Sequence, residues 1–326
     1  MERIPITPPE ILPLSAGKVR PQWSVKIPVY NCSKFLPEAL LSVLKDALPE
    51  SEMEIEVVDD ASTDDDIFNI VQIVGKGRIK YFRQEENVGS LRNFETCINR
   101  STGKFVHLLH GDDKVKTGYY KKISDLFDKF PQAGAAFCRF SYINDRSAFM
   151  YYEKPEAAID GLLSNWQEKI AVRNTIQYCS ITVKRDVYEK LGGFYGITYG
   201  EDWEMWVRIA KYYPFAYTTD ILAEYRKHGN SITGQKFLNG NYVDDIIEAM
   251  GRIQKLLPEN KQENVLTSSK KFYSHYALKT ANEVWKSTRN KHYVKASIKK
   301  AFKLWNDKKL VWKAFKIYVK MFLRRY

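Results

Sequence analysis

The stretch KFVHLLHGDD, residues 104–113, joins a short apolar run to two adjacent carboxylates. The apolar run is typical of a buried strand. Asp112 and Asp113 follow at the point where that strand would end. Like charges held side by side repel each other, so a fold that keeps them together usually supplies a cation or hydrogen-bond donors. The stretch therefore predicts a strand end that binds a metal ion.

The sequence before this stretch alternates between strand and helix patterns. Strand patterns occur in WSVKIPVYN (residues 23–31), MEIEVVDD (53–60) and RIKYFRQ (78–84). Helical patterns occur between them, in PEALLSVLKDAL (37–48), IFNIVQIV (67–74) and SLRNFETCINRS (90–101). This alternation predicts an α/β fold with a mostly parallel sheet flanked by helices. Ligands bind beyond the carboxyl ends of such strands, where Tyr30, Asp59, Asp60, Asp112 and Asp113 fall.

Composition indicates a globular chain. Of the 326 residues 44% are hydrophobic, which is enough for a sizeable core. No apolar run approaches the roughly 20 residues of a membrane span, and the first residues lack the pattern of a signal peptide, so we expect a cytoplasmic protein. The four cysteines are widely spaced, so we expect reduced core residues and neither a zinc site nor disulfides.

The positive charge is concentrated at the C-terminal end. Residues 270–326 carry seventeen Lys and Arg against Glu283 and Asp307, a net charge of +15, whereas the whole chain carries +12. Apolar residues recur there at helical spacing: Val294, Ile298, Ala301, Phe302 and Trp305, then Val311, Phe315, Tyr318 and Phe322. Basic amphipathic helices of this kind either pack on the protein body, bind an anionic membrane surface or bind nucleic acid. No nucleic-acid motif accompanies them, so we do not expect nucleic acid as a partner.

The acidic strand ends can be given roles in binding a nucleotide. Both glycine-rich phosphate loops are absent, because PVYN follows the first strand. A divalent cation on Asp113 would instead bridge diphosphate oxygens, leaving Asp60 and Asp112 to accept hydrogen bonds from a base and a ribose. The alternative for DDASTDDD is an acidic turn in which Ser62 or Thr63 caps the next helix.

Six motifs together resemble the family 2 glycosyltransferases of the GT-A fold, which use nucleotide sugars and invert the anomeric centre. They cover roughly residues 23–235, in the order and spacing of that family. The motifs are IPVYN (27–31), VVDDASTD (57–64), ENVGSLRNF (86–94), LLHGDD (108–113), GEDWEMWVRIA (200–210) and YRKHGNSIT (225–233).

The resemblance implies a role for each matching donor-site residue. Pro28 and Tyr30 would flank the base, Asp60 would receive the uracil, and Asp112 would approach the ribose. Asn87 and Arg92, in ENVGSLRNF, would also bind the nucleotide sugar.

The resemblance also implies a divalent cation, Mn²⁺ or Mg²⁺, on Asp113. In the YRxH motif, His228 would complete the metal ligands and Arg226 would lie near the phosphates. Many members carry aspartate where this chain has His110, which we expect to be a neutral hydrogen-bonding residue and not a ligand.

GEDWEMWVRIA has two interpretations. Glu201 and Asp202 fall in the first turn of a predicted helix, where carboxylates are favoured by exposed N–H groups. The resemblance implies instead that Asp202 is the general base, with Glu201 orienting the acceptor or holding the helix start.

The sequence therefore predicts an N-terminal extension (residues 1–22), a GT-A catalytic domain (23–235) and a basic helical C-terminal region (236–326). We expect an inverting, metal-dependent hexosyl- or N-acetylhexosaminyltransferase. It would move sugar from a UDP-sugar to a glycan or lipid-linked glycan, in surface polysaccharide or glycolipid synthesis, at the cytoplasmic membrane face. The alternatives are a sugar nucleotidyltransferase and a catalytically silent protein that binds glycans or membranes. PVYNCSKF is a poor triphosphate loop, and the presence of Asp113 and Asp202 argues against silence.

Overall fold

The computed structural model describes residues 2–15, 17, 19–229 and 232–324. It divides into two compact units, each built from separate stretches of chain. The first unit comprises Met1–Trp166, Thr175–Gly196 and Arg208–Lys227, and the second comprises Gln167–Asn174, Ile197–Val207 and His228–Tyr326. The boundaries predicted from the sequence, after residues 22 and 235, stay predictions.

The first unit contains a ten-stranded sheet. Its strands are β1 (Trp23–Val29), β2 (Met53–Asp59), β3 (Lys80–Arg83), β4 (Phe105–Leu108), β5 (Lys114–Val115), β6 (Ala135–Ile143), β7 (Phe149–Tyr152), β8 (Gly161–Leu162), β9 (Ile181–Lys184) and β10 (Phe215–Arg226). The order across the sheet is β3-β2-β1-β4-β9-β6-β10-β5, with β7 beside β6 and β8 beside β10. Pairing is parallel among β3, β2, β1 and β4 and between β6 and β10, whereas β9 runs antiparallel to both β4 and β6.

Strand β1 lies at the centre of the parallel part of this sheet. All seven of its residues are buried, as expected for a parallel strand covered on both faces. Its partners β2 and β4 stand on opposite sides and start in register, with Trp23 opposite both Met53 and Phe105. The strand order therefore reverses at β1, and the crevice beyond its carboxyl end is the place where such sheets bind ligands.

Helices of the first unit are α1 (Leu36–Leu44), α2 (Ile67–Gly75), α3 (Ser90–Asn99), α4 (Tyr119–Lys129) and α6 (Arg185–Leu191). Helices α5 (Trp166–Val172) and α7 (Glu201–Tyr212) contain residues of both units. The second unit is helical, with α8 (Ile232–Asn239), α9 (Tyr242–Gln254), α10 (Glu259–Thr288), α11 (Lys291–Leu304) and α12 (Lys308–Phe322). None of the helices within the described ranges is both long and apolar enough to cross a bilayer.

The α/β fold with a mostly parallel sheet and the C-terminal helical region are both confirmed. One feature of the tail differs from the packing interpretation. In α11 the predicted residues Val294, Ile298 and Ala301 are buried. In α12 the buried face is formed by other residues, Leu310, Ala314, Ile317 and Met321, whereas Val311, Phe315, Tyr318 and Phe322 are exposed. The packing interpretation of the α12 stripe is therefore wrong.

Candidate functional site

Three strand ends are joined by backbone hydrogen bonds at the crevice beyond β1. The N–H of Asp60 donates to the carbonyl of Val29 at 2.8 Å, and the N–H of Gly111 donates to the carbonyl of Pro28 at 3.3 Å. A Cβ on Gly111 would lie 2.8 Å from the sulfur of Cys32, so a larger residue there would have to displace that side chain. The segments after β1, β2 and β4 thus form one edge, with Pro28 buried and Tyr30 exposed.

Asp60 is buried and holds the loop that follows β3. Its carboxylate accepts hydrogen bonds from the backbone N–H groups of Val88 (2.8 Å) and Gly89 (3.0 Å) and from the side-chain amide of Asn87 (2.9 Å). Burial raises the pKa of Asp60, and the bonds from Val88 and Gly89 oppose that rise. The structure therefore brings Asp60 and Asn87, two predicted donor-site residues, into direct contact.

The N-terminal residues contact the same loop. The guanidinium of Arg3 donates to the carbonyl (3.0 Å) and the side-chain oxygen of Asn87. Arg92 donates to the carbonyl of Glu2 at 2.9 Å and pairs with Glu95 at 2.7 Å. The predicted donor residues Asn87 and Arg92 are thus both held by protein groups, and within the described structure Asn87 alone of the two contacts Asp60.

Asp113 is 1% exposed and only half satisfied by the protein. Its Oδ1 accepts the backbone N–H of Arg226 at 2.8 Å, whereas its Oδ2 is buried and has no hydrogen-bond partner among the described residues. Burial, followed by the charge of Asp112, raises the pKa of Asp113 well above its ordinary value. The charge of Arg226 and a hydrogen bond with the Cys179 thiol offset this rise only in part.

His110 lies between two aromatic rings beside the acidic pair. It stacks on Tyr178, with ring centroids 4.3 Å apart, and on Phe94 at 5.2 Å. Burial lowers its pKa, which favours the neutral ring. Its Nε2 is buried and finds no hydrogen-bond partner within the described part of the chain. The proposed hydrogen-bonding role therefore has no observed partner at this nitrogen.

His110, Asp112 and Asp113 together fit a metal ion, so His110 is a candidate ligand, which we did not expect from the sequence. Each offers a ligand atom, and these atoms lie within 4.8 Å of one another. Oxygen and imidazole nitrogen are the donors that Mn²⁺ takes, and Mg²⁺ takes the carboxylates. The unpartnered Oδ2 of Asp113 and Nε2 of His110 are the groups that such an ion would satisfy.

Arg226 is buried and fixes the acidic pair from the end of β10. Its Nε donates to the carbonyl of Asp112 at 2.7 Å, and its other nitrogens donate to Asn144, Ser147 and Glu38 at 2.8 to 3.1 Å. All three guanidinium nitrogens therefore bond to protein groups. In this conformation Arg226 positions Asp112 and Asp113, whereas its contact with a phosphate stays a prediction.

Asp202 lies in the first turn of α7, in the second unit. Its carboxylate accepts the N–H of Trp203 and the side-chain amide of Asn174, each at 2.7 Å. Burial raises its pKa to about 6, against the lowering effect of those two bonds. At neutral pH this carboxylate is ionised yet basic enough to take up a proton.

The remaining predicted residues also belong to the second unit. Glu201 begins α7 and is half-buried. His228 is half-buried and follows β10, and part of its motif, Asn230 and Ser231, lies outside the described residues.

Sequence reasoning did not identify Asn174, Tyr178 or Arg3. Asn174 and Tyr178 both lie within residues 139–178, where the sequence shows no recognisable motif, and Arg3 precedes the first predicted strand. Their roles depend on contacts with residues far away in sequence, so no local pattern indicates them.

Residues 24–192, more than half of the chain, match the sequence model of glycosyl transferase family 2. The chain belongs to this family. An uncharacterized glycosyltransferase of Rickettsia felis is 25% identical over 64% of this chain and 34% of its own length. The poly(ribitol-phosphate) β-N-acetylglucosaminyltransferase TarS of Staphylococcus aureus is 29% identical over 33% of this chain and 19% of its own length.

Two solved structures of glycosyltransferases share the fold. TarS residues 1–349 in complex with UDP-GlcNAc superpose with a TM-score of 0.60 at 16% identity, covering 94% of this chain and 93% of that one. The mannosyltransferase PcManGT of Pyrobaculum calidifontis, in complex with GDP-Man and Mn²⁺, gives 0.56 at 16% identity, covering 99% and 91%.

The chain matches only part of the length of these curated relatives. The family 2 chain matches 38% of a Mycobacterium tuberculosis protein of unknown function and 34% of the Rickettsia felis glycosyltransferase, so it spans about a third of their lengths.

Proposed function

We propose that this family 2 glycosyltransferase moves a sugar from a UDP-sugar to a hydroxyl of a glycan acceptor, with inversion at the anomeric carbon. The observation that carries the proposal is the buried Asp113, which keeps one oxygen without a partner in the described structure and shares a ligand cluster with the half-buried His110 and Asp112. Such an incomplete cluster at the ligand-binding edge of a sheet suits a donor that arrives with a metal ion.

The donor would lie over the carboxyl end of β1. Pro28 and Tyr30 would flank the base. The carboxylate of Asp60 already accepts three hydrogen bonds from the loop and would accept a further one from uracil. Each carboxylate oxygen can accept two hydrogen bonds, so Asp60 can accept one more than the three it has. The proposal of UDP rests on this carboxylate and on the TarS complex, whereas PcManGT binds GDP-Man.

Asp113, with Asp112 and His110, would hold Mn²⁺ or Mg²⁺, and His228 remains a proposed additional ligand. When bound, the ion supplies positive charge to the diphosphate oxygens. Arg226 then has a different task, which is to keep Asp112 and Asp113 in place through its bonds to both. This division of roles explains why the guanidinium is buried.

Asp202 is the proposed general base. Its carboxylate would take the proton of the acceptor hydroxyl as that oxygen forms a bond to the anomeric carbon. The bond from that carbon to the diphosphate oxygen breaks at the same time, and UDP leaves with the electron pair. A pKa of about 6 suits proton uptake near neutral pH, and Asn174 keeps the carboxylate oriented. Glu201 would orient the acceptor.

We further propose a hexosyl or N-acetylhexosaminyl donor and a glycan or lipid-linked glycan acceptor, in surface polysaccharide or glycolipid synthesis at the cytoplasmic membrane face. The test is a screen of nucleotide sugars for hydrolysis by the full chain, with Mn²⁺, with Mg²⁺ and with a chelator. We expect one UDP-sugar to be hydrolysed, only with metal, and the Asp113→Ala variant to lose this activity. Hydrolysis that persists undiminished in chelator would contradict the metal site, and turnover of GDP-sugars alone would contradict the assignment of UDP.

A further inference from the structure

Helix α12 presents two apolar faces. One is buried within the second unit and consists of Leu310, Ala314, Ile317 and Met321. The other is exposed and consists of Val311, Trp312, Phe315, Tyr318, Val319 and Phe322. The exposed residues recur three and four positions apart, so they form one continuous stripe that adjoins the packed face of the helix.

The exposed stripe is too large to be an incidental feature. Trp312 and Phe315 are 55% and 54% exposed, and their rings stack with centroids 5.5 Å apart. Phe322 is 85% exposed. Single exposed apolar residues are normal on protein surfaces, but a contiguous aromatic patch marks a binding surface.

Lysines line the same helix. α12 contains five lysines and no acidic residue, and Lys308, Lys309, Lys313 and Lys316 are exposed. The ammonium of Lys316 lies 5.2 Å from the ring centroid of Trp312, so positive charge directly adjoins the aromatic patch. The nearby Asp307 is occupied with the start of the helix, where its carboxylate accepts the N–H of Leu310 at 2.7 Å.

We propose that the exposed face of α12 docks on an anionic phospholipid surface. Trp and Tyr favour the boundary between headgroups and acyl chains, and lysines beside them attract anionic lipids. A second copy of this chain is a poorer occupant, because two such faces would bring their lysines together and the positive charges would repel. The surface would hold a glycosyltransferase close to lipid-linked substrates, but the lipid-binding surface itself does not depend on the proposed function.

The experiment is sedimentation of the full chain with vesicles of phosphatidylcholine, alone or mixed with phosphatidylglycerol. We expect binding only with phosphatidylglycerol, and weaker binding at high salt. The double variant Trp312→Ala/Phe315→Ala should bind at least tenfold more weakly, because two aromatic side chains no longer enter the interface. Lys309→Gln/Lys316→Gln should lower binding and reduce its salt dependence. The matched control is Phe68→Ala on α2, since Phe68 is 52% exposed but lies outside the lysine-rich helix. That variant should bind like wild type.

Thermal midpoints and sedimentation coefficients complete the test, and the aromatic variant should match wild type in both. No binding of wild type to phosphatidylglycerol vesicles, or equal binding by the aromatic variant, would overturn the proposal. A concentration-dependent dimer that the aromatic variant abolishes would overturn it in favour of a second copy.

Discussion

Replacing Asn174 by alanine should change the pH dependence of turnover. The amide of Asn174 donates to Asp202 Oδ2 at 2.7 Å, and this bond favours the ionised carboxylate, lowering a pKa that burial raises to about 6. Without the donor, the proton is held more tightly and the pKa of Asp202 rises further. The backbone N–H of Asn174, which donates to Tyr273, is kept in the alanine variant.

The size of the shift follows from the strength of the bond. A hydrogen bond to a charged group contributes roughly 1.5–3 kcal/mol when buried, and water reaching this half-buried carboxylate reduces that to about 1.4 kcal/mol. About 1.4 kcal/mol corresponds to roughly one pKa unit. The apparent pKa of the acid limb of the pH–rate profile should therefore move from about 6 to about 7. At pH 6 the ionised fraction would fall about fivefold, whereas at pH 8.5 both proteins would be almost fully ionised.

The assay is kcat/KM for UDP-sugar hydrolysis between pH 5 and 9. Thr175→Val is the matched control, because the Thr175 hydroxyl is buried and makes no hydrogen bond among the described residues. Its acid limb should stay at about 6. An unchanged limb in Asn174→Ala, or an equal loss of rate at every pH, would refute the assignment of Asp202 as the group that titrates.

Two further predictions concern stability. The pKa of Asp202 is raised in the folded state, so it stabilises the fold below the ordinary value of 3.8, and this contribution is lost as pH rises through about 6. At pH 7.5 the free energy of unfolding of Asp202→Asn should therefore exceed that of wild type by about 1–2 kcal/mol, after allowance for solvent screening. In chemical denaturation this difference should vanish below about pH 4. A difference that stays constant with pH would contradict the linkage. Arg226→Lys should cost about 2–4 kcal/mol and weaken UDP binding with Mn²⁺, because lysine cannot reproduce the bonds to Asp112, Asn144 and Ser147. The control is Arg252→Lys, in a surface pair with Glu248, which should change the free energy of unfolding by less than about 0.5 kcal/mol. Equal losses of stability in the two variants would count against a positioning role for Arg226.

The first half of the fold was predictable because its strands are buried on both faces and alternate with helices. β1 and β2 lie within the predicted strand segments. Helix α2 extends one residue beyond its predicted end, and α3 ends two residues before its own. The predicted helix 37–48 ends earlier, at Leu44. The fold beyond β4 was harder to predict from the sequence, because β9 inserts antiparallel between β4 and β6 and is only four residues long.

The candidate site was predictable where a motif marks a strand end. Asp60 follows β2 directly, and Asp112 and Asp113 follow β4 after three residues, so local sequence was enough to place them. Asn174 and Arg3 act through partners that are distant along the chain, which no local pattern encodes. In α12, the sequence indicated one apolar stripe, and only the structure shows that this stripe is exposed while a second set, Leu310, Ala314, Ile317 and Met321, forms the packed face.

The most direct test of the proposed mechanism is donor turnover by Asp202→Asn, measured beside its affinity for UDP. Asn keeps the shape and the helix-capping ability of Asp but removes the proton acceptor. We predict UDP affinity within about twofold of wild type and a turnover lower by about 10²–10⁴-fold, which is the span of general-base contributions. Turnover equal to wild type, with UDP bound normally, would contradict Asp202 as the general base and the inverting mechanism built on it.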